Sequence, residues 1–105
     1  MGKRVPLETV LARQMAKPEV QAEYERNAVA DAVSLWLVKY RADHGLSQAD
    51  LAARTGLSQP AVARLEAGDI EPRLSTLLRI ARALGVDLLV ALEAEPAAVV
   101  VRQAA

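Results

Sequence analysis

Apolar residues recur at three- and four-residue spacing along most of this chain, and each run stops at a proline or a glycine. Leu7, Val10, Leu11 and Met15 form the first stripe, bounded by Pro6 and Pro18, and predict a short helix over Leu7–Ala16. Pro18 opens a longer pattern through Val20, Tyr24, Val29, Val33, Trp36, Leu37 and Tyr40. Unbroken to His44, that helix is roughly 40 Å long at 1.5 Å per residue; a bend near Asn27 fits the pattern equally well. Its second half has neighbours to pack on, whereas its first half carries Val20 and Tyr24 with no core in reach. Such an arm folds back or meets a partner. Ser75–Leu84 is the last clear helix, capped by Ser75, with Leu77, Leu78, Ile80, Ala81 and Leu84 inward and Arg79 and Arg82 outward. Four of the five glycines (Gly45, Gly56, Gly68 and Gly85) fall where a periodic pattern ends, as expected just past a helix C-terminus.

The densest punctuation lies in Ser47–Arg73, SQADLAARTGLSQPAVARLEAGDIEPR. Ser47 suits the N-cap of a helix carrying Leu51, Ala52 and Thr55, and Gly56 ends it. Ser58 caps a second helix with Pro60 in its first turn, where a missing N–H is harmless. Val62, Leu65 and Glu66 share one side of that helix; Pro60, Ala63, Arg64 and Ala67 share the other. Two short helices joined by a tight glycine turn present an outward row that a DNA major groove can accept.

After Gly85, the run VDLLVALEAE has the composition of a short strand. A lone strand is unstable, so it pairs with a copy in a second subunit or lies flat on the domain. The tail PAAVVVRQAA gives no assignment. These elements predict an all-α class of five to six helices: a helix-turn-helix domain over residues 27–88, an N-terminal helical arm over 1–26, and a strand-like segment and tail over 89–105.

Composition narrows the chemistry. The 105 residues are 52% apolar and contain no cysteine, which removes thiolate zinc sites, disulfides and cysteine catalysis. His44 is the only histidine and sits in a last helical turn, where a structural role fits the helix dipole. There is no glycine-rich phosphate loop and no paired-acid constellation, so the chain reads as a non-enzyme that needs no cofactor and no metal. No apolar run exceeds five residues, the length of Leu88–Leu92, which is too short for a signal core or a membrane span, so a cytoplasmic protein is expected. Trp36 and Tyr40 belong to an apolar stripe and read as core. Tyr24 lies beyond that core, so its exposure would mark a binding surface. Glu19, Glu23 and Glu25 form a solvated face or a complement to a basic partner. Net charge is zero, with 13 basic and 13 acidic residues, which predicts little non-specific DNA affinity.

Within Leu46–Leu88 the elements recur in a fixed order: Ser-Gln, Leu-Ala, Gly56, Ser-Gln, Leu-Glu-x-Gly, Pro-x-x-x-Thr-Leu and Ala-x-x-Leu-Gly-Val. This string resembles the phage-repressor, or Xre, type of helix-turn-helix. The arms, with KPEVQAEYE ahead of the domain, more loosely resemble the HigA-like antitoxins of toxin–antitoxin operons. The first resemblance implies that Gln48 meets a DNA phosphate at a helix N-terminus, and that Gln59 opens the recognition helix and pairs with adenine. Ser58, Pro60, Ala63 and Arg64 fall in the DNA-binding set, Arg64 suiting guanine and Ala63 a thymine methyl. Arg73 lies near the sugar-phosphate backbone, and Arg41 with Glu66 matches a buried structural ion pair. The chain departs from the pattern at Pro60, usually polar, and at the acidic loop Asp69-Ile70-Glu71. Both weaken affinity per subunit. The implied partners are a pseudo-palindromic double-stranded operator, a second copy of the chain and a small basic toxin, with no membrane. A stand-alone repressor is the alternative, and a ligand-sensing regulator ranks last.

Overall fold

The computed structural model describes residues 6–15, 17–95 and 97–104. In order these form α1 (Leu7–Met15), α2 (Pro18–His44), α3 (Gln48–Thr55), α4 (Gln59–Ala67), α5 (Leu74–Leu84), β1 (Leu88–Ala94) and β2 (Ala97–Gln103). Ala16, the last residue of the expected first helix, lies outside the described residues, as do the side chains of Leu11 and Met15. Leu7 and Val10 of that stripe are exposed.

Helix α2 runs without interruption for 27 residues, so the bend near Asn27 does not occur. Pro18 occupies its first turn, where proline's fixed φ favours the helix. Its buried stripe is Ala30, Val33, Leu37 and Tyr40, all from the middle of the helix onward. Val33, Leu37 and Tyr40 meet Leu51 and Ala52 of α3, Val62 and Leu65 of α4, and Leu77 and Ile80 of α5 in one cluster, which Val101 of β2 flanks. Val33, Leu37, Leu51, Val62 and Ile80 are almost fully buried. Burying each contributes about 1.5–3 kcal/mol. The four expected glycines follow α2, α3, α4 and α5, each with positive φ.

Two expectations for α5 fail. The helix begins at Leu74 with Arg73 at the N-cap and no side-chain cap, so Ser75 lies inside the first turn. Leu78 is 60% exposed rather than inward. The buried stripe is set by Leu77 and Ile80, and Leu78 stacks one turn above Leu74 on a neighbouring flank that turns away from α3.

The all-α expectation is also corrected. β1 pairs antiparallel with β2, from Leu88 opposite Gln103 to Ala94 opposite Ala97. The strand-like segment therefore finds its partner in the tail of its own chain. The run AAVVVRQ is rich in β-branched residues and supplies the missing ladder. Ala104 N–H closes the base of the hairpin on Asp87 C=O at 2.8 Å. β2 faces α2 and is half-buried at Ala97, Ala98, Val99 and Val101, whereas β1 is exposed at six of its seven positions. The whole measures 56 × 28 × 27 Å, the long axis reflecting the arm. Among the described residues, no helix is long and apolar enough to cross a membrane.

Candidate nucleic-acid interface

Ser47 and Asp50 form a reciprocal capping box at the start of α3: Ser47 Oγ accepts from Asp50 N–H at 3.0 Å, and Asp50 Oδ2 accepts from Ser47 N–H at 2.9 Å. The bond from Ser47 N–H first, and the Ser47 hydroxyl second, hold the Asp50 carboxyl below its ordinary pKa. Thr55, itself buried, donates from Oγ1 to Leu51 C=O, which satisfies its hydroxyl. Gly56 then turns the chain with φ of 73°. Ser58 caps α4 by accepting from Ala61 N–H at 3.2 Å, and Pro60 follows in the first turn.

Helix α4 sorts its side chains as its spacing requires. Val62 and Leu65 enter the core; Gln59, Pro60, Arg64 and Ala67 are exposed, and Ala63 is half-buried. The exposed flank is the edge of a nine-residue rod about 13 Å long, which suits a major groove about 12 Å wide. Arg64 makes no salt bridge or side-chain hydrogen bond with the described residues, so its guanidinium remains available for a ligand.

Glu66 fixes the angle of that rod. Arg41 Nε donates to Glu66 Oε2 at 2.8 Å and Arg41 Nη2 donates to Glu66 Oε1 at 2.8 Å, a bidentate fork. The same arginine donates to Leu46 C=O at 3.2 Å. Ser34 Oγ donates to the Glu66 C=O. The Glu66 carboxyl is held below its ordinary pKa first by the Arg41 bonds, against desolvation, and the Arg41 pKa is raised in turn. The expected structural ion pair is therefore formed, and it joins α2 to α4.

Gln48 is the first residue of α3. Its Nε2 donates to Glu66 Oε1 at 3.1 Å, which adds α3 to the same network. What Gln48 offers a phosphate is the helix N-terminus, where its backbone N–H has no intrahelical partner. Arg73 is exposed at the N-cap of α5 and borders a shallow groove with Leu57, Ala61 and Ile70.

Two positioning residues escaped the sequence reading. Arg79, expected to point outward, reaches back and donates from Nε to Thr55 C=O at 3.2 Å and from Nη2 to Gly56 C=O at 2.7 Å. It thereby clamps the turn between α3 and α4. No local pattern announces this, because its acceptors are main-chain carbonyls on another helix. Ser34 did leave a signal: it lies seven residues before Arg41, on the same face of α2.

The profile of the helix-turn-helix family matches residues 37–90, just over half of the chain. An uncharacterised HTH-type transcriptional regulator of Haemophilus influenzae is 40% identical over 52 residues, which is 50% of this chain and 53% of that protein. Another from Methanocaldococcus jannaschii is 39% identical over 49 residues, covering 47% of this chain and 74% of that protein. The antitoxin HigA1 of Mycobacterium tuberculosis is 36% identical over 86 residues, 82% of this chain and 55% of its own length. The chain thus spans about half the length of the Haemophilus and Mycobacterium relatives. With its glycine-turned helix pair and this match across both helices, the chain belongs to the helix-turn-helix family of transcriptional regulators, of the Xre-like type.

Proposed function

We propose that the chain is a non-enzymatic, sequence-specific repressor that binds double-stranded DNA as a homodimer. The observation that carries the reading is the division of labour on α4: Glu66 is committed to the scaffold while Arg64, on the opposite flank, has no side-chain partner among the described residues. In this reading α4 enters the major groove, Arg64 contacts guanine, Gln59 contacts adenine, and Ala63 meets a thymine methyl. Gln48, Ser58 and Arg73 lie toward phosphates, and Pro60 packs without a polar contact. One short helix reads too few base pairs to be selective. Two copies about 34 Å apart read a pseudo-palindrome, one helical turn between half-sites. Replacing Arg64→Ala is expected to weaken operator binding by about 1–3 kcal/mol and to relax preference at one base position. Fluorescence anisotropy on a set of single-base operator variants measures both, and unchanged affinity and preference sink the assignment of α4.

A second reading adds to the first: the protein is an antitoxin, and its DNA binding autoregulates an operon shared with a small basic toxin. The observation favouring it is the arm formed by α1 and the first half of α2, which leaves Tyr24 exposed and extends beyond what DNA reading needs. The HigA1 match, longer than the helix-turn-helix region, points the same way. The test compares the full chain with a truncation starting at Asn27. The full chain is expected to bind the small basic product of an adjacent reading frame, and the truncation to bind operator alone. A full chain that ignores the neighbouring product while the truncation still binds operator leaves a stand-alone repressor.

A further inference from the structure

We infer, on the reading that α4 enters the major groove, that the loop from Gly68 to Arg73 senses the shape of the adjoining minor groove, Asp69 and Glu71 turning the protein away from sites flanked by A-tracts. A rod that fills a groove about 12 Å wide has a phosphate backbone on either side. The loop leaves the C-terminal end of α4 and runs back along its flank, so it faces one of those backbones, and beyond that backbone lies the minor groove. Asp69 N–H donates to Arg64 C=O at 3.2 Å, which ties the start of the loop to the last turn of α4. Ile70, Glu71, Pro72 and Arg73 then line a groove with Ala61 and Leu65 of the same helix.

The loop carries two carboxylates and one guanidinium, Asp69 and Glu71 against Arg73, a sum of one negative charge. All three are exposed, and none forms a salt bridge among the described residues. Glu71 and Arg73 share one groove, so DNA about 8 Å away, one Debye length at physiological salt, senses their sum together with Asp69. Folding does not ask for this sign. The C-terminal end of α4 carries the negative end of the helix dipole, where stability favours a cation. A Cβ on Gly68 would also lie 3.1 Å from Asp31 Oδ1, so Asp69 adds to like charge rather than relieving it.

Minor-groove potential supplies the discrimination. A-tracts have a narrow minor groove whose enhanced negative potential draws in an arginine, and G·C-rich segments lack it. A loop whose sum is negative is pushed off the stronger potential. Arg73 with its two acidic neighbours therefore prefers the wider groove, the reverse of what a lone arginine selects. No base edge is touched, so the preference falls on base pairs beside the half-site that α4 reads.

Binding of the full chain to duplexes that differ only in these base pairs tests the loop. The half-site is the one that the wild-type chain enriches from a random-sequence duplex pool, flanked on both sides by A-tracts or by G·C-rich steps. In low-salt fluorescence anisotropy, wild type is expected to bind the G·C-flanked duplex roughly 2- to 5-fold more tightly, the scale of one exposed charge interaction. Glu71→Gln brings the sum to zero and is expected to remove the preference; adding Asp69→Asn makes it positive and is expected to invert it. Arg73→Gln, which makes the sum more negative, is expected to widen the gap. The acid-to-amide changes keep side-chain shape at exposed positions, so urea unfolding is expected to match wild type. Raising the salt is expected to narrow every gap, which a steric cause would not do. A wild type indifferent to the flank, or favouring A-tracts, overturns the inference, and so does a folded double variant with the wild-type preference. An enriched duplex bound regardless of flank leaves the α4 reading intact, whereas a pool with no enriched duplex removes both.

Discussion

Placing a methyl group at the turn between α3 and α4 tests how that turn is held. At Gly56, with φ of 73°, a Cβ would lie 2.9 Å from Arg79 Nη2. Alanine there meets two separate penalties. Left-handed backbone costs an L-residue about 1–2 kcal/mol, partly offset by about 0.4–1 kcal/mol because alanine restricts the unfolded chain. The second penalty belongs to Arg79. Its guanidinium can swing aside easily, but doing so forfeits the bonds to Gly56 C=O at 2.7 Å and Thr55 C=O at 3.2 Å. Hydrogen bonds to charged groups contribute about 1.5–3 kcal/mol; with the Arg79 tip exposed, a loss of about 1–2 kcal/mol for the pair is the reasonable figure. Gly45 supplies the control, since its φ is 63° and nothing lies within 4 Å of its Cβ position. Gly45→Ala should therefore cost about 1 kcal/mol or less, and Gly56→Ala about 2–3 kcal/mol. Urea unfolding of both variants, of Arg79→Ala and of the Gly56–Arg79 double variant completes a cycle. In the Arg79→Ala background, Gly56→Ala should fall to the Gly45→Ala value. Equal costs for the two glycines, or no coupling with Arg79, would refute the clamp.

Further perturbations address the rest of the scaffold. Leu37→Ala, at an almost fully buried site, should destabilise by about 2–5 kcal/mol with the urea m-value unchanged. Ser47→Ala should cost about 0.5–2 kcal/mol, and in the same variant the Asp50 carboxyl should titrate closer to an ordinary aspartate, as followed by NMR. The Glu66 pKa is depressed in the folded chain, so the unfolded chain binds the proton first as pH falls. The stability contributed by the ion pair is thus complete above the ordinary glutamate range and is lost as pH drops through the folded-state pKa. Glu66→Gln should flatten that acid limb in pH-dependent thermal melts and weaken operator binding without changing base preference, because α4 loses its support but keeps its reading residues.

How much of this was legible in the sequence follows from the range of each interaction. The caps at Ser47 and Ser58, and the glycine endings, act within four residues and can be read directly. The Arg41–Glu66 pair spans 25 residues and was legible only through the family resemblance. Leu78 was misplaced because an apolar residue beside the inward stripe has two possible neighbours, and periodicity does not say whether the second exists. The Ser75 cap failed because Arg73 adopts the extended N-cap backbone first. β2 was missed because its strand signal, VVV, becomes decisive only beside a partner, and β1 precedes it by a turn whose geometry composition does not specify. Arg79 was missed because side-chain bonds to distant main-chain carbonyls leave no periodic trace.

The unbroken course of α2 has one more consequence. Every residue from Gln21 to Asn27 is exposed, while the core grips the helix only from Val29 onward. An isolated helix of about a dozen residues is barely stable in water, so the two ends of this one rod have very different opening free energies. The Pro18 end can melt and reform while Leu37 and Arg41 stay locked. The distal part can therefore be reshaped freely, and the exposed edge of α4 keeps its pitch throughout.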